Sequence, residues 1–172
     1  GELEMDDQST INATGKGYQY STQSWFRSVG NIIWLSATGG AHQASGSYGG
    51  RGTSYHSSHY SNEVYGNYAW PNELGTSGSR SGGHGGGSIR LKIDGDFILD
   101  GTITNNGVCS GESCGSGGSV LIEAQDLSGT GSIMAEGGGG NFHKGSGGGG
   151  RIAIHARSFA ESFAYPLDIL SN

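Results

Sequence analysis

The sequence predicts an all-β fold: a single-domain parallel β-helix, or solenoid, with coils of about 30 residues and long glycine-rich loops. Three observations lead there. Short apolar–polar alternating segments recur at near-constant spacing; glycine reaches 36 of 172 residues, against a usual share of roughly 7%; and only two prolines occur, which excludes collagen and polyproline. At this length the chain suffices for one domain with a real core.

The repeat is read from aligned columns. Gly87-Ser88-Ile89-Arg90-Leu91-Lys92-Ile93, Gly118-Ser119-Val120-Leu121-Ile122-Glu123-Ala124 and Gly150-Arg151-Ile152-Ala153-Ile154-His155-Ala156 share one form and are spaced by 31 and 32 residues. Within each, side chains alternate as in a strand with one dry face. Ile89, Val120 and Ile152 then fall in one column, while Arg90, Lys92, Glu123 and His155 face away from it. A second step follows: Gly101-Thr102-Ile103-Thr104-Asn105-Asn106-Gly107 matches Gly131-Ser132-Ile133-Met134-Ala135-Glu136-Gly137, and Ser9-Thr10-Ile11-Asn12-Ala13-Thr14-Gly15 has the same shape. Phe97 and Leu127 also correspond. A sandwich of antiparallel hairpins would explain the alternation but not the spacing.

Along the chain, residues 1–8 read as a polar, acidic tail and 9–172 as the glycine-rich domain. Trp25-Phe26 and Asn31-Ile32-Ile33-Trp34-Leu35 read as early core strands. A long polar His/Tyr-rich insert at about 40–86 reads as extended loops leaving the repeat, and loops of that length are often functional. The glycine runs read as tight turns, for which glycine is the default residue.

Nine Lys+Arg against 15 Asp+Glu give a net charge of −6 with no basic run, which argues against nucleic acid. No stretch approaches the ~18 apolar residues of a membrane helix. The opening Gly1-Glu2-Leu3-Glu4-Met5 has neither the basic start nor the apolar run of a signal peptide, so the compartment is read from other residues. Cys109 and Cys114 flank four residues in a glycine-rich stretch; a small disulfide fits that spacing better than a metal or redox pair and points to an extracellular, oxidising setting. Asn12-Ala13-Thr14 is a glycosylation acceptor pattern at Asn12.

Together, the Gly-Gly-Ser-Ile/Val strands, the Gly-Thr/Ser-Ile step and the closing Gly147-Gly148-Gly149-Gly150-Arg151-Ile152-Ala153-Ile154 resemble glycine-rich parallel β-helix repeat domains of large secreted or cell-surface, adhesin- or matrix-like proteins. The resemblance covers roughly 9–156 and extends to Tyr48-Gly49-Gly50-Arg51-Gly52. It implies a right-handed helix and an adhesive or structural role, and it carries over no catalytic residues. The Cys109–Cys114 loop and the His/Tyr-rich insert depart from it.

That insert holds the candidate site. Tyr48, Tyr55, Tyr60, Tyr65, Tyr68 and Trp70 offer flat rings beside hydroxyls and amides, which suit sugars and protein interfaces. His56 and His59 are weak metal candidates that need a third ligand from His42, His84 or Glu63. Asp94, Asp96 and Asp100 surround a turn that a calcium ion could use. The expected function is a non-enzymatic extracellular structural or adhesive module. Its expected partners are glycans, matrix proteins or further copies of itself in fibres. One alternative is a polysaccharide-processing lyase- or hydrolase-like enzyme using Arg90, Lys92, Glu123 and His155. Another is an ice- or mineral-surface binder built on a Thr10, Thr102 and Ser132 column.

Overall fold

Alternating apolar residues, not helical stripes, organise the chain, and every regular element among the described residues is a strand. The computed structural model describes residues 1–19, 44–54, 61–79, 82–140, 145–160 and 169–170. The expected early core strands at Trp25-Phe26 and Asn31–Leu35 lie outside these.

One sheet has β8 (Ser119–Ser128) at its centre. On one side β8 pairs in parallel with β10 (Arg151–Phe159). On the other it pairs with β3 (Ser88–Lys92) and then β4 (Asp96–Leu99). β1 (Glu2–Met5) closes that side by pairing with β4. A second parallel sheet runs β11 (Ile169–Leu170), β9 (Ser132–Met134), β5 (Thr102–Thr104) and β2 (Thr10–Asn12). The register aligns Ile89 with Val120 and Val120 with Ile152. Ile11, Ile103 and Ile133 align likewise in the second sheet.

The core lies between these sheets. Ile89, Phe97, Leu99, Ile103, Val120, Ile122, Leu127 and Ile133 are buried together, each side chain contributing about 1.5–3 kcal/mol of transfer free energy. Glu2–Met5, read as part of a tail, is a strand because Leu3 and Met5 alternate with Glu2 and Glu4, and Met5 is buried in the same core.

The expectation of a uniform parallel β-helix is corrected here. Parallel and antiparallel pairings are mixed, and most strands are short. β6 (Cys109–Ser110) and β7 (Ser113–Cys114) form an antiparallel hairpin, and Ala44 bridges Ser54 in antiparallel sense. The expected single dry face also fails at the centre of β8, where Leu121, on the face opposite Val120 and Ile122, is only 2% exposed.

The physical reason lies in the glycine-rich segments, which form no strands and instead pack backbone against backbone. Along 115–118, successive amides donate to the carbonyls of Val108, Thr76, Gly148 and Asn105, in three different stretches of chain, at 2.9 Å. A ladder would address one neighbour; this network addresses several. Gly75 donates to Gly86, Gly86 to Ser116, and Gly148 to Gly46 (2.8–2.9 Å). Of the insert at about 40–86, the described stretches 44–48 and 76–79 belong to this layer rather than to departing loops, since Ala44, Ser45, Ser47, Tyr48, Thr76, Ser77 and Ser79 are fully buried.

Glycine's role is correspondingly different from the turn reading. Among the described glycines only Gly15, Gly66, Gly111 and Gly129 have positive φ. Gly129, at φ 114°, sits in the turn between β8 and β9, where other residues would be strained. At most of the other described glycines the requirement is close approach, as at the crowded axis of collagen. A Cβ at Gly118 would meet the Gly87 carbonyl, and one at Gly83 the Val108 carbonyl.

Asn105 fastens this layer to the strands. It is fully buried, its Nδ2 donates to Gly87 O (3.0 Å) and Ser119 O (2.7 Å), and its own carbonyl accepts from Gly118.

Two alanine variants separate packing from turn chemistry. Gly118→Ala should cost about 1–3 kcal/mol by overpacking, whereas Gly139→Ala, whose Cβ would meet nothing within 4 Å, should stay within about 0.5 kcal/mol of the parent. Equal effects in denaturant unfolding would show that close approach is not what glycine supplies.

Candidate functional site

The candidate aromatic residues divide into two groups by what surrounds them. Tyr48 is fully buried and its hydroxyl donates to Glu73 Oε2 (3.1 Å). Its ring lies 4.8 Å from that of Tyr65, tilted by 45°. The Tyr65 hydroxyl donates to the Leu74 carbonyl and lies 2.8 Å from Thr76 Oγ1. Burial raises both phenols well above the ordinary tyrosine value, with the nearby Glu73 carboxylate adding to the effect at Tyr48; at Tyr65 the Thr76 hydrogen bond works against burial. These two rings are packing elements.

Tyr68 and Trp70 are the second group, 79% and 49% exposed. The backbone around them is set locally: Asn67 Oδ1 accepts from the amides of Ala69 (2.8 Å) and Trp70 (3.1 Å), an Asx turn. The segment is then stapled to the outer face of β10 at two points four residues apart on both stretches. Arg151 Nε donates to Tyr65 O (3.0 Å), and its guanidinium lies over the Tyr48 ring, 5.5 Å from the centroid. His155 Nε2 makes a 2.7 Å hydrogen bond with Ala69 O; a carbonyl only accepts, so this nitrogen carries the proton. The Trp70 indole stacks on the His155 ring, with centroids 4.1 Å apart and planes within 11°. One face of the indole is thus occupied by imidazole, and its exposed area lies away from the sheet.

Of the remaining sequence candidates, Tyr55, His56, His59 and Tyr60 lie outside the described residues, as does His42. Glu63 pairs with Arg51 (3.2 Å) in an exposed ion pair worth at most about 1 kcal/mol. Among the described residues no group of three or more His, Cys, Asp or Glu could hold a metal ion. At the turn proposed for calcium, Asp100 Oδ1 accepts from the Thr130 amide (2.9 Å) and hydroxyl (3.1 Å).

The register does bring Lys92, Glu123 and His155 into one row across β3, β8 and β10. Glu123, however, accepts from Arg90 Nε (3.2 Å) and Nη2 (2.9 Å), and His155 is held by Ala69 and Trp70. Thr10, Thr102 and Ser132 also form a column. The next position along, Thr104, hides its hydroxyl from solvent without a partner, so the array is not extended.

Cys109 and Cys114 form a disulfide across the β6–β7 hairpin. The Cys114 amide donates to Ser45 Oγ (3.0 Å) and its carbonyl accepts from Gly46 (2.9 Å), tying the hairpin to the glycine-rich layer. Asn12 is exposed on the outermost strand of the second sheet, with its Oδ1 accepting from the Thr14 amide (2.9 Å).

Sequence reasoning missed Arg151 and His155 as parts of this surface. Alternation placed His155 on the outer face, but the covering segment lies 86 residues away in sequence. Among the described residues no helix is long and apolar enough to cross a membrane. No family model, curated protein or solved structure matches the chain.

The buried tyrosines predict the alkaline behaviour. Their native pKa values lie above the unfolded value of about 10, so the folded state holds protons that the unfolded chain releases. Stability should therefore be unaffected below about pH 10 and fall as pH rises beyond it. Phenolate absorbance should show Tyr48 and Tyr65 ionising only with unfolding; ionisation of all tyrosines together in the folded protein would contradict their packing.

Proposed function

We propose that the chain is a non-enzymatic extracellular structural and adhesive module that presents a binding surface to glycan or protein partners. The observation that carries this reading is Trp70: half exposed, locked on one side against His155, and next to the largely exposed Tyr68. A ring already fixed in place loses little freedom when a ligand covers it, which favours binding. The Cys109–Cys114 disulfide supports an oxidising, extracellular setting.

The test is a screen against immobilised glycans and matrix proteins, run with and without a chelator to detect calcium dependence. Saturable binding should weaken about ten-fold or more in Trp70→Ala, as for a central aromatic contact, with an unchanged melting curve. Absence of binding to either class, or binding indifferent to both Trp70→Ala and Tyr68→Ala, would overturn the reading.

A self-associating form of this module has its own support. β10 ends its sheet, no strand pairs beyond it among the described residues, and its core-facing Ile152 and Ile154 remain only partly buried. Such an edge is a template for a second copy. Sedimentation should show concentration-dependent association that Ile154→Lys reduces; a monomer at all concentrations would refute it.

A further inference from the structure

The outer face of the first sheet carries charge in a pattern that the aromatic platform alone does not explain. Arg51 is engaged by Glu63, Arg90 by Glu123, and Arg151 by the Tyr65 carbonyl and the Tyr48 ring. Lys92 and Arg157 are exposed, and among the described residues neither has an ion pair or side-chain hydrogen bond.

Both lie on the sheet face that carries His155, on which the indole stacks. Lys92 shares a row with Glu123 and His155, so two inter-strand steps, about 10 Å, separate its Cα from that of His155. Arg157 follows His155 by two residues on the same face of β10, about 7 Å along the strand. Trp70 stacks on that same His155 at 4.1 Å. Of the carboxylates nearest this row, Glu123 is neutralised by Arg90 and Asp126 accepts from the Ser158 hydroxyl, while Asp94, two residues after Lys92, is exposed.

We infer that this surface binds an anionic glycan: the Trp70 ring, with Tyr68 beside it, takes a sugar face, and Lys92 and Arg157 take carboxylate or sulfate groups along the chain. The inference rests on the reading of Trp70 as a ligand platform and adds the charge of the ligand. A neutral sugar would leave both cations unused. A nucleic acid would demand many more cations than two, on a protein whose net charge is −6. An acidic peptide would match the cations but would not need a half-exposed ring locked flat against the sheet.

The experiment uses the full chain with three probes of equal length: an oligogalacturonate, a sulfated galactan fragment and a neutral galactan fragment, each titrated by calorimetry at low and high salt. Binding of the oligogalacturonate or the sulfated probe, but not the neutral one, is expected. It should weaken with salt, fall about five-fold in each of Lys92→Ala and Arg157→Ala, and be lost in Trp70→Ala. Which anionic probe binds identifies carboxylate or sulfate as the recognised group.

Equal binding of the neutral probe, unaffected by the two cation variants, would overturn the anionic assignment while leaving Trp70 as the platform. Binding that needs the cations but survives Trp70→Ala would overturn the platform itself. No binding of any probe by a protein that still captures an acidic peptide would overturn the glycan assignment. All three side chains are exposed, and thermal melts of the variants verify that folding is intact.

Discussion

The approach of one peptide backbone to another, with no side chain between them, is the constraint on which the rest of this structure depends. A hydrogen bond from Gly117 to Gly148 and another from Gly118 to Asn105, both 2.9 Å, place adjacent residues against different stretches of chain. At such separations a Cβ has nowhere to go: at Gly147 it would meet Gly115 O, at Gly150 it would meet Gly118 O, and at Gly85 it would meet Gly75 O. Buried polar backbone costs free energy unless every group is paired, and this lattice pairs them without a ladder. Serine and threonine serve where a small side chain can join in. Ser45 donates to Gly145 O (2.6 Å) and also receives the Cys114 amide (3.0 Å), while Ser116 receives the Thr76 amide (2.8 Å).

The glycine-rich layer and the apolar core are coupled rather than stacked as independent halves. Asn105 reaches from the end of β5 to the carbonyls of Gly87 and Ser119, where β3 and β8 begin. Gly118 donates back to the Asn105 main chain, so strand starts and lattice share one hydrogen-bonded junction. The same lattice brings Ala44–Tyr48 next to Gly149 and Gly150, because Gly49 and Gly50 both donate to Gly149 O (2.9 Å). That contact carries Tyr48 under Arg151, and Tyr48 in turn seats Tyr65. The exposed ring of Trp70 is therefore the end of a chain of contacts that begins with missing side chains.

How far the sequence reveals this depends on which physics leaves a local trace. Alternation does, so the column of Ile89, Val120 and Ile152, and that of Thr10, Thr102 and Ser132, can be read directly. Cysteine spacing does too, and Cys109 and Cys114 are joined. Backbone packing leaves a composition but no partner: a run such as Gly82-Gly83 looks the same whether it turns or packs, so the glycines read as turns and the insert as departing loops. The acidic residues Glu2 and Glu4 masked the Leu3–Met5 face and made a strand look like a tail. At the site, ring chemistry singled out Tyr48, Tyr65, Tyr68 and Trp70 together. Only burial separates the two that pack from the two that face outward.

That separation also bears on what the surface can do. A tyrosine buried beside a carboxylate, as Tyr48 is beside Glu73, keeps its proton and offers no free donor to a ligand. His155, whose Nε2 proton goes to Ala69 O and whose face goes to Trp70, spends its chemistry on position. Tyr48 and His155 are thereby turned into fixtures, and what is left outward is a flat ring on the sheet face that carries two unpaired cations. A surface of that kind gains from a ligand by covering a ring that is already immobile, so the ordering cost falls on the ligand alone. The rigidity that makes this favourable comes from glycine, the residue most costly to order in isolation. Here its backbone is held by neighbours on several sides at once, and the lattice seats Tyr48 beneath Arg151 while His155 fixes where the indole stands.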